Sequence, residues 1–266
     1  MELFDYPFMR AALLMGLIVG TLFSLMGIFV VTRGMAFFSD FIAHSAILGM
    51  ALAVTLEAEP VVFLIIYSAA VSFLASAIWS RFSLSRDVVL GVLYGGTVAT
   101  GIILISVRHI GQSRIFGFLF GDILLVRPLD IWLSLCLLAA FGLFLVFNMR
   151  KLVKSSLLPE ISIAEGVRVK FYDYALIAVM AVTIALSIKL IGVMLANAMV
   201  VIPAAAAKAV SRNFRQFICI APALGIASFF TGISLSFYLD IPSGPSVVAS
   251  AFLFFLAALP FGALRR

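Results

Sequence analysis

The chain has 266 residues, 64% of them hydrophobic and only 11% charged, whereas soluble domains run near half and a quarter. That balance excludes an ordinary soluble enzyme and implies a polytopic membrane protein, because at roughly 20 apolar residues per spanning helix eight or nine spans use most of the length. The net charge of +6 does not point to nucleic acid: the basic residues are scattered among short inter-helix segments, which the positive-inside rule explains.

Apolar stretches lie at 10–32, 41–56, 60–80, 88–107, 128–148, 173–192, 193–208, 216–238 and 245–262, which predicts an all-α, polytopic transmembrane helical bundle. The first is longer than a signal-peptide core and is expected to stay as a helix. The second and seventh are short, and Pro203 interrupts the seventh, so short broken helices are expected among the spans. Residues 115–126 are apolar but too short to cross, which suggests a re-entrant segment, with Asp122 capping or stabilising its turn. Gly16, Gly20 and Ser24, and again Gly91, Gly95 and Ala99, recur every four residues and read as surfaces for close helix contact. Cys136 and Cys219 fall inside apolar stretches, where thiols behave as small buried hydrophobes. No repeat or linker divides the chain, so 1–266 is expected to form a single transmembrane domain.

The loop at about 150–170 is the most basic, with Arg150, Lys151, Lys154, Arg168 and Lys170, and is therefore assigned to the cytoplasm. Arg33, Arg81, Arg86, Lys208, Arg212, Arg215, Arg265 and Arg266 then fall inside, while Glu57, Glu59 and Asp240 fall outside. Arg10, Arg108, Arg114 and Arg127 are exceptions, and nine crossings place the N-terminal segment outside. Within the loop, Pro159, Glu160, Ala164, Glu165 and Gly166 form a compact mixed-charge segment. A short helix ending at Gly166 suits the capping preference of glycine; it is either a docking element for a partner protein or a solvated connector.

No G-x-x-x-x-G-K-[ST] loop occurs, so ATP is not bound here by that route. The absence of H-E-x-x-H, C-x-x-C and G-x-S-x-G patterns leaves an intramembrane hydrolase without support. An ionisable residue at membrane depth costs about 2.5–3.5 kcal/mol and needs a reason. Asp40 and His44 stand one helical turn apart, which places their Cβ atoms about 5–6 Å apart on one face. Carboxylate and imidazole suit zinc or manganese, and two copies about a two-fold axis would offer four ligands. An internal Asp–His hydrogen bond is the equal alternative. Lys189 is either a counter-charge in a pathway or, more commonly, a side chain snorkelling to the interface. Asn197 offers a carbonyl oxygen or an interhelical hydrogen bond, and His109 reads as a solvated loop histidine.

The segments RGMAFFSDFIAHSAILGMAL (33–52), DVVLGVLYGG (87–96), FGDILLV (120–126), PEISIAEGV (159–167), IGVMLANAMVVIPAAAAK (191–208) and DIPSGPSVV (240–248), in this order and spacing, resemble the permease subunit of zinc and manganese ABC importers. The resemblance covers nearly the whole chain and implies a type II importer-like permease in a prokaryotic cytoplasmic membrane. It implies a second copy of the chain, a cytoplasmic ATP-binding subunit and an extracytoplasmic metal-binding protein as partners. The cargo would be Zn2+ or Mn2+, with no prosthetic group. The family's aspartate and histidine, thought to line the metal path, correspond to Asp40 and His44, and its coupling segment to 159–166. Ser39 replaces a usual glycine, Ala206 a usual threonine, and Asn197 is also unusual for the family. The A-H-S context and the E-G ending look more like zinc members, which sets zinc before manganese or iron. An ATP-independent metal channel or carrier is the rival from another class.

Overall fold

The computed structural model describes residues 6–82, 84–108, 127–157 and 159–263. Their helices, in chain order, are α1 (Pro7–Arg33), α2 (Phe38–Thr55), α3 (Pro60–Arg81), α4 (Arg86–Val107), α5 (Pro128–Leu157), α6 (Pro159–Ala164), α7 (Val169–Ile191), α8 (Val193–Val210), α9 (Phe214–Leu239) and α10 (Ser243–Ala263). No strand occurs among the described residues. Nine of these helices, all but α6, are long and apolar enough to cross a membrane. Even the two short stretches form helices of 18 residues, about 27 Å at 1.5 Å per residue, close to the thickness of the hydrocarbon core. The chain is an integral membrane protein.

The ends of these helices follow local chemistry. Glu59 caps α3 by accepting the Val62 N–H at 2.8 Å, with Pro60 as the first helical residue. Ser85 caps α4 through the Val88 N–H, and Asn213 caps α9 through the Gln216 N–H. Each cap satisfies a donor that the helix itself cannot. Gly34 and Gly192 adopt φ values of +63° and +80°, the left-handed region where glycine has no steric cost. The boundary read between the stretches 173–192 and 193–208 is present, with Gly192 alone separating α7 from α8, whereas the interruption expected at Pro203 is not. Proline's fixed φ is compatible with a helix and removes only one backbone donor, so α8 runs through Pro203.

The described residues separate into two compact units. Of the described residues, the first holds 6–31, 127–140 and 190–263. In it the Gly16, Gly20, Ser24 stripe of α1 meets α9: a Cβ at Gly20 would lie 3.1 Å from the Gly225 backbone, and one at Gly16 would lie 2.9 Å from the Phe229 Cβ. This stripe is a helix contact, as read from the sequence. Helix α10 packs on α8 and α9 in the same unit.

Of the described residues, the second unit holds 32–82, 84–108, 141–157 and 159–189. Here α2 packs on α3 and α4. Gly49 seats the ring of Tyr67 and Gly101 admits the backbone of Leu48 at 3.1 Å. The second small-residue stripe behaves differently from expectation: a Cβ at Gly91 or Gly95 would meet nothing within 4 Å. Helix α4 meets its neighbours through the face holding Val89, Leu90 and Gly101, which leaves Gly91, Gly95 and Ala99 exposed. The cysteines also depart from expectation, since Cys136 and Cys219 are free thiols on exposed faces. In an apolar solvent an exposed helix face is as hydrophobic as a buried one, so the sequence carries no mark of which is which. His109, Arg114, Asp122, Arg265, Arg266 and the proposed re-entrant stretch lie outside the described residues.

Candidate functional site

Helix α2 is buried along most of its surface, through Phe38, Ser39, Phe41, Ile42 and Ser45 among others. Asp40, His44 and Leu48 form a partly open line along it. The i, i+4 spacing brings the Asp40 Oδ1 to 3.2 Å from the His44 Nδ1, with these side chains 25% and 27% exposed. The Asp40 carbonyl oxygen lies 3.0 Å from the same nitrogen. Two oxygens facing Nδ1 place a proton there, so that in the neutral imidazole the lone pair is on Nε2. A carboxylate or carbonyl accepting from one ring nitrogen is the arrangement that orients a metal-binding histidine by the other. Tyr94 of α4 packs edge-on against the His44 ring, with centroids 5.0 Å apart, and limits its rotation.

The internal Asp–His contact, one of the two alternatives read from the sequence, is present. Among the described residues no group of three or more His, Cys, Asp or Glu side chains gathers. Asn197 lies on α8 in the first unit and is half-buried. Lys189 lies on α7, its side chain outside those described.

At one end of the second unit the Arg33 side chain, 2% exposed, is enclosed by polar partners. Its Nη1 donates to the Asp173 Oδ1 on α7. Its Nε donates to the Ser156 Oγ on α5 at 2.9 Å, and Nη2 reaches the Ser155 Oγ at 3.4 Å. Arg86 adds an Nη1 bond of 3.3 Å to the Arg33 carbonyl oxygen and sits 3.6 Å from Asp173. A buried guanidinium stripped of its carboxylate costs about 3–5 kcal/mol, so this cluster is a fixed point of the unit. The sequence marked Arg33 and Arg86 only as topology charges. Nothing in their spacing announces Asp173, which is 140 positions from Arg33.

The segment between α5 and α7 carries α6. Val167 donates its N–H to the Ser162 carbonyl at 2.9 Å and Gly166 to the Ile163 carbonyl at 3.0 Å. With Gly166 at φ +77°, this is a Schellman ending, in agreement with the helix expected to stop there. Ser162 is fully buried, whereas Ile161 and Ile163 are 52% and 65% exposed. Glu165 pairs with Lys154 of α5 at 2.5 Å, and Lys151 Nζ donates to the Tyr172 hydroxyl at 2.8 Å. Glu160, Ala164 and Glu165 are exposed on this element, and Pro159 opens it.

Residues 5–262 match the ABC 3 transport family. The chain belongs to that family. It is 30% identical over 248 residues to the high-affinity zinc uptake system membrane protein ZnuB of Haemophilus influenzae, covering 92% of this chain and 95% of the relative. It is 28% identical over 256 residues to the manganese import system permease protein ScaB of Streptococcus gordonii, covering 96% and 92%. Among solved structures it is similar to PsaBC from Streptococcus pneumoniae, determined in complex with a Fab, with a TM-score of 0.83, 25% identity and coverage of 99% and 97%. As a member of this family the chain is an ABC transport permease.

Proposed function

We propose that the chain, acting as one permease domain over 1–266, imports a divalent transition metal, zinc before manganese, across a prokaryotic cytoplasmic membrane. The observation that carries this reading is the Asp40–His44 pair, whose Nδ1 is held at 3.2 Å from the carboxylate on a partly open helix face. His44 Nε2 and an Asp40 oxygen are the donors offered to the ion. One copy provides two donors, and two copies about a two-fold axis provide four nitrogen and oxygen ligands, a number suited to tetrahedral zinc. A transported ion must also leave, so a site assembled from two incomplete halves is an advantage.

An extracytoplasmic binding protein delivers the ion, and ATP hydrolysed by a separate cytoplasmic subunit drives the change of access. That subunit docks on α6, where Ile161 and Ile163 present apolar side chains outward. The relatives named for zinc and for manganese both support a metal cargo. The donor types accept either ion, so zinc is placed first on the count of four ligands, which suits its tetrahedral geometry, and on the A-H-S and E-G contexts. Uptake by the complex reconstituted in liposomes, with zinc, manganese and iron in competition, tests the reading. Asp40→Ala and His44→Ala complexes that still hold their ATPase are expected to lose at least tenfold in uptake. Unchanged uptake in both would remove the site, and metal flux without the ATPase would replace the importer with a channel.

A further inference from the structure

The Arg33 cluster stands between the two features on which the proposed function depends. Ser155 and Ser156 lie on α5 just before α6, and Asp173 lies on α7 soon after it, so Arg33 holds both arms of the α6 segment. Arg33 is also the last residue of α1. Gly34, in its left-handed conformation, turns the chain into a short connector that enters α2, and Asp40 lies in the first turn of that helix. The connector is tied at its far end as well: the Phe37 N–H donates to the Asp87 Oδ1 of α4 at 3.2 Å. Arg86, adjacent to Asp87, bonds the Arg33 carbonyl oxygen. All of these contacts lie inside the second unit.

We infer that Arg33 and Asp173 are positioning residues that transmit displacement of the α6 segment to α2, and so to the Asp40–His44 pair. The physical basis is stiffness. A polar cluster whose guanidinium is almost fully enclosed resists separation more than apolar contacts do, because pulling it apart leaves a charge without partners in a dry environment. The connector from Arg33 to α2 is short and pinned by Asp87, so it has little slack to absorb a shift. Beyond it, the edge contact of Tyr94 with His44 and the close approach of Gly101 to Leu48 hold α2 against α4. Movement of the α5 and α7 arms therefore reaches the metal-facing turn of α2 through named hydrogen bonds.

This inference rests on the proposed docking of an ATPase at α6, and its test separates the two. In the full complex, with native cysteines replaced, spin labels at the exposed Leu56→Cys of the two copies of the chain report the displacement of the far end of α2 with and without ATP. Ions moved per ATP hydrolysed are measured in liposomes in parallel. The unaltered complex is expected to change its label distance on ATP binding. Asp173→Asn is expected to abolish that change and lower ions per ATP at least tenfold while hydrolysis stays within twofold, and Asp173→Glu to restore more than half. Should Asp173→Asn fail to assemble, Asp87→Ala, which removes an exposed bond, is expected to lower the ratio about threefold. A label distance that responds equally in the variants, or hydrolysis and uptake that fall together, overturns the inference. A distance change intact in the unaltered complex without metal uptake leaves the link standing and overturns the cargo.

Discussion

Replacing Gly27 by alanine tests the closest helix contact of the first unit. A Cβ at that position collides with the Val200 carbonyl oxygen of α8 and stands 2.8 Å from the Ala204 Cβ and 3.0 Å from the Val200 carbonyl carbon. Unstrained carbon contacts lie at about 3.5–4.0 Å, so α1 and α8 must part by roughly 1 Å. The blocking atoms belong mainly to backbone, which cannot rotate away, and this places the cost near the upper end of overpacking, about 3 kcal/mol. Alanine recovers about 1 kcal/mol through its better helix propensity. The net expectation is about 2 kcal/mol of destabilisation. Thermal unfolding of the purified chain in detergent, monitored by the loss of helical circular dichroism, measures it against Gly91→Ala. At Gly91 nothing lies within 4 Å, so only the propensity gain of up to about 1 kcal/mol applies. A Gly27→Ala protein as stable as the Gly91→Ala protein would refute the packing argument.

Two further outcomes are expected. Gly166→Ala places a Cβ in a backbone conformation of φ +77° at a cost of about 1–2 kcal/mol. It should reduce co-purification of the ATPase more than it lowers the unfolding temperature, since the strain is confined to the end of α6. Ile161→Glu with Ile163→Glu changes only exposed side chains, so the unfolding temperature should stay within a degree or two while ATPase co-purification is lost. Retained co-purification in that double variant would exclude α6 as the docking element.

The nine apolar stretches each became a helix near the expected bounds because the membrane solvent makes helix formation a local matter: backbone groups must be satisfied within the segment. The helix that stops at Gly166 was equally legible, since a left-handed ending is a property of a few adjacent residues. Asp40 and His44 could be paired from spacing alone, because one turn of helix sets their separation. Long-range partners left no such trace. Tyr94 reaches His44 from another helix, and Asp173 reaches Arg33 across a connection that contains the four spans α2 to α5.

What the sequence determined by itself was therefore the membrane class, the helices, the ending of α6 at Gly166 and the presence of one Asp–His turn. Only the tertiary structure decided which faces of these helices pack. The stripe of Gly16 and Gly20 meets Phe229 and Gly225, whereas the similar stripe of Gly91 and Gly95 meets nothing in the described chain. It also decided that α8 runs on through Pro203, and that Arg33 binds both arms of the α6 segment. The reason is that apolar residues cover every side of a membrane helix. Amphipathic asymmetry, which tells a soluble helix where its core is, has no counterpart when the surroundings are as apolar as the interior.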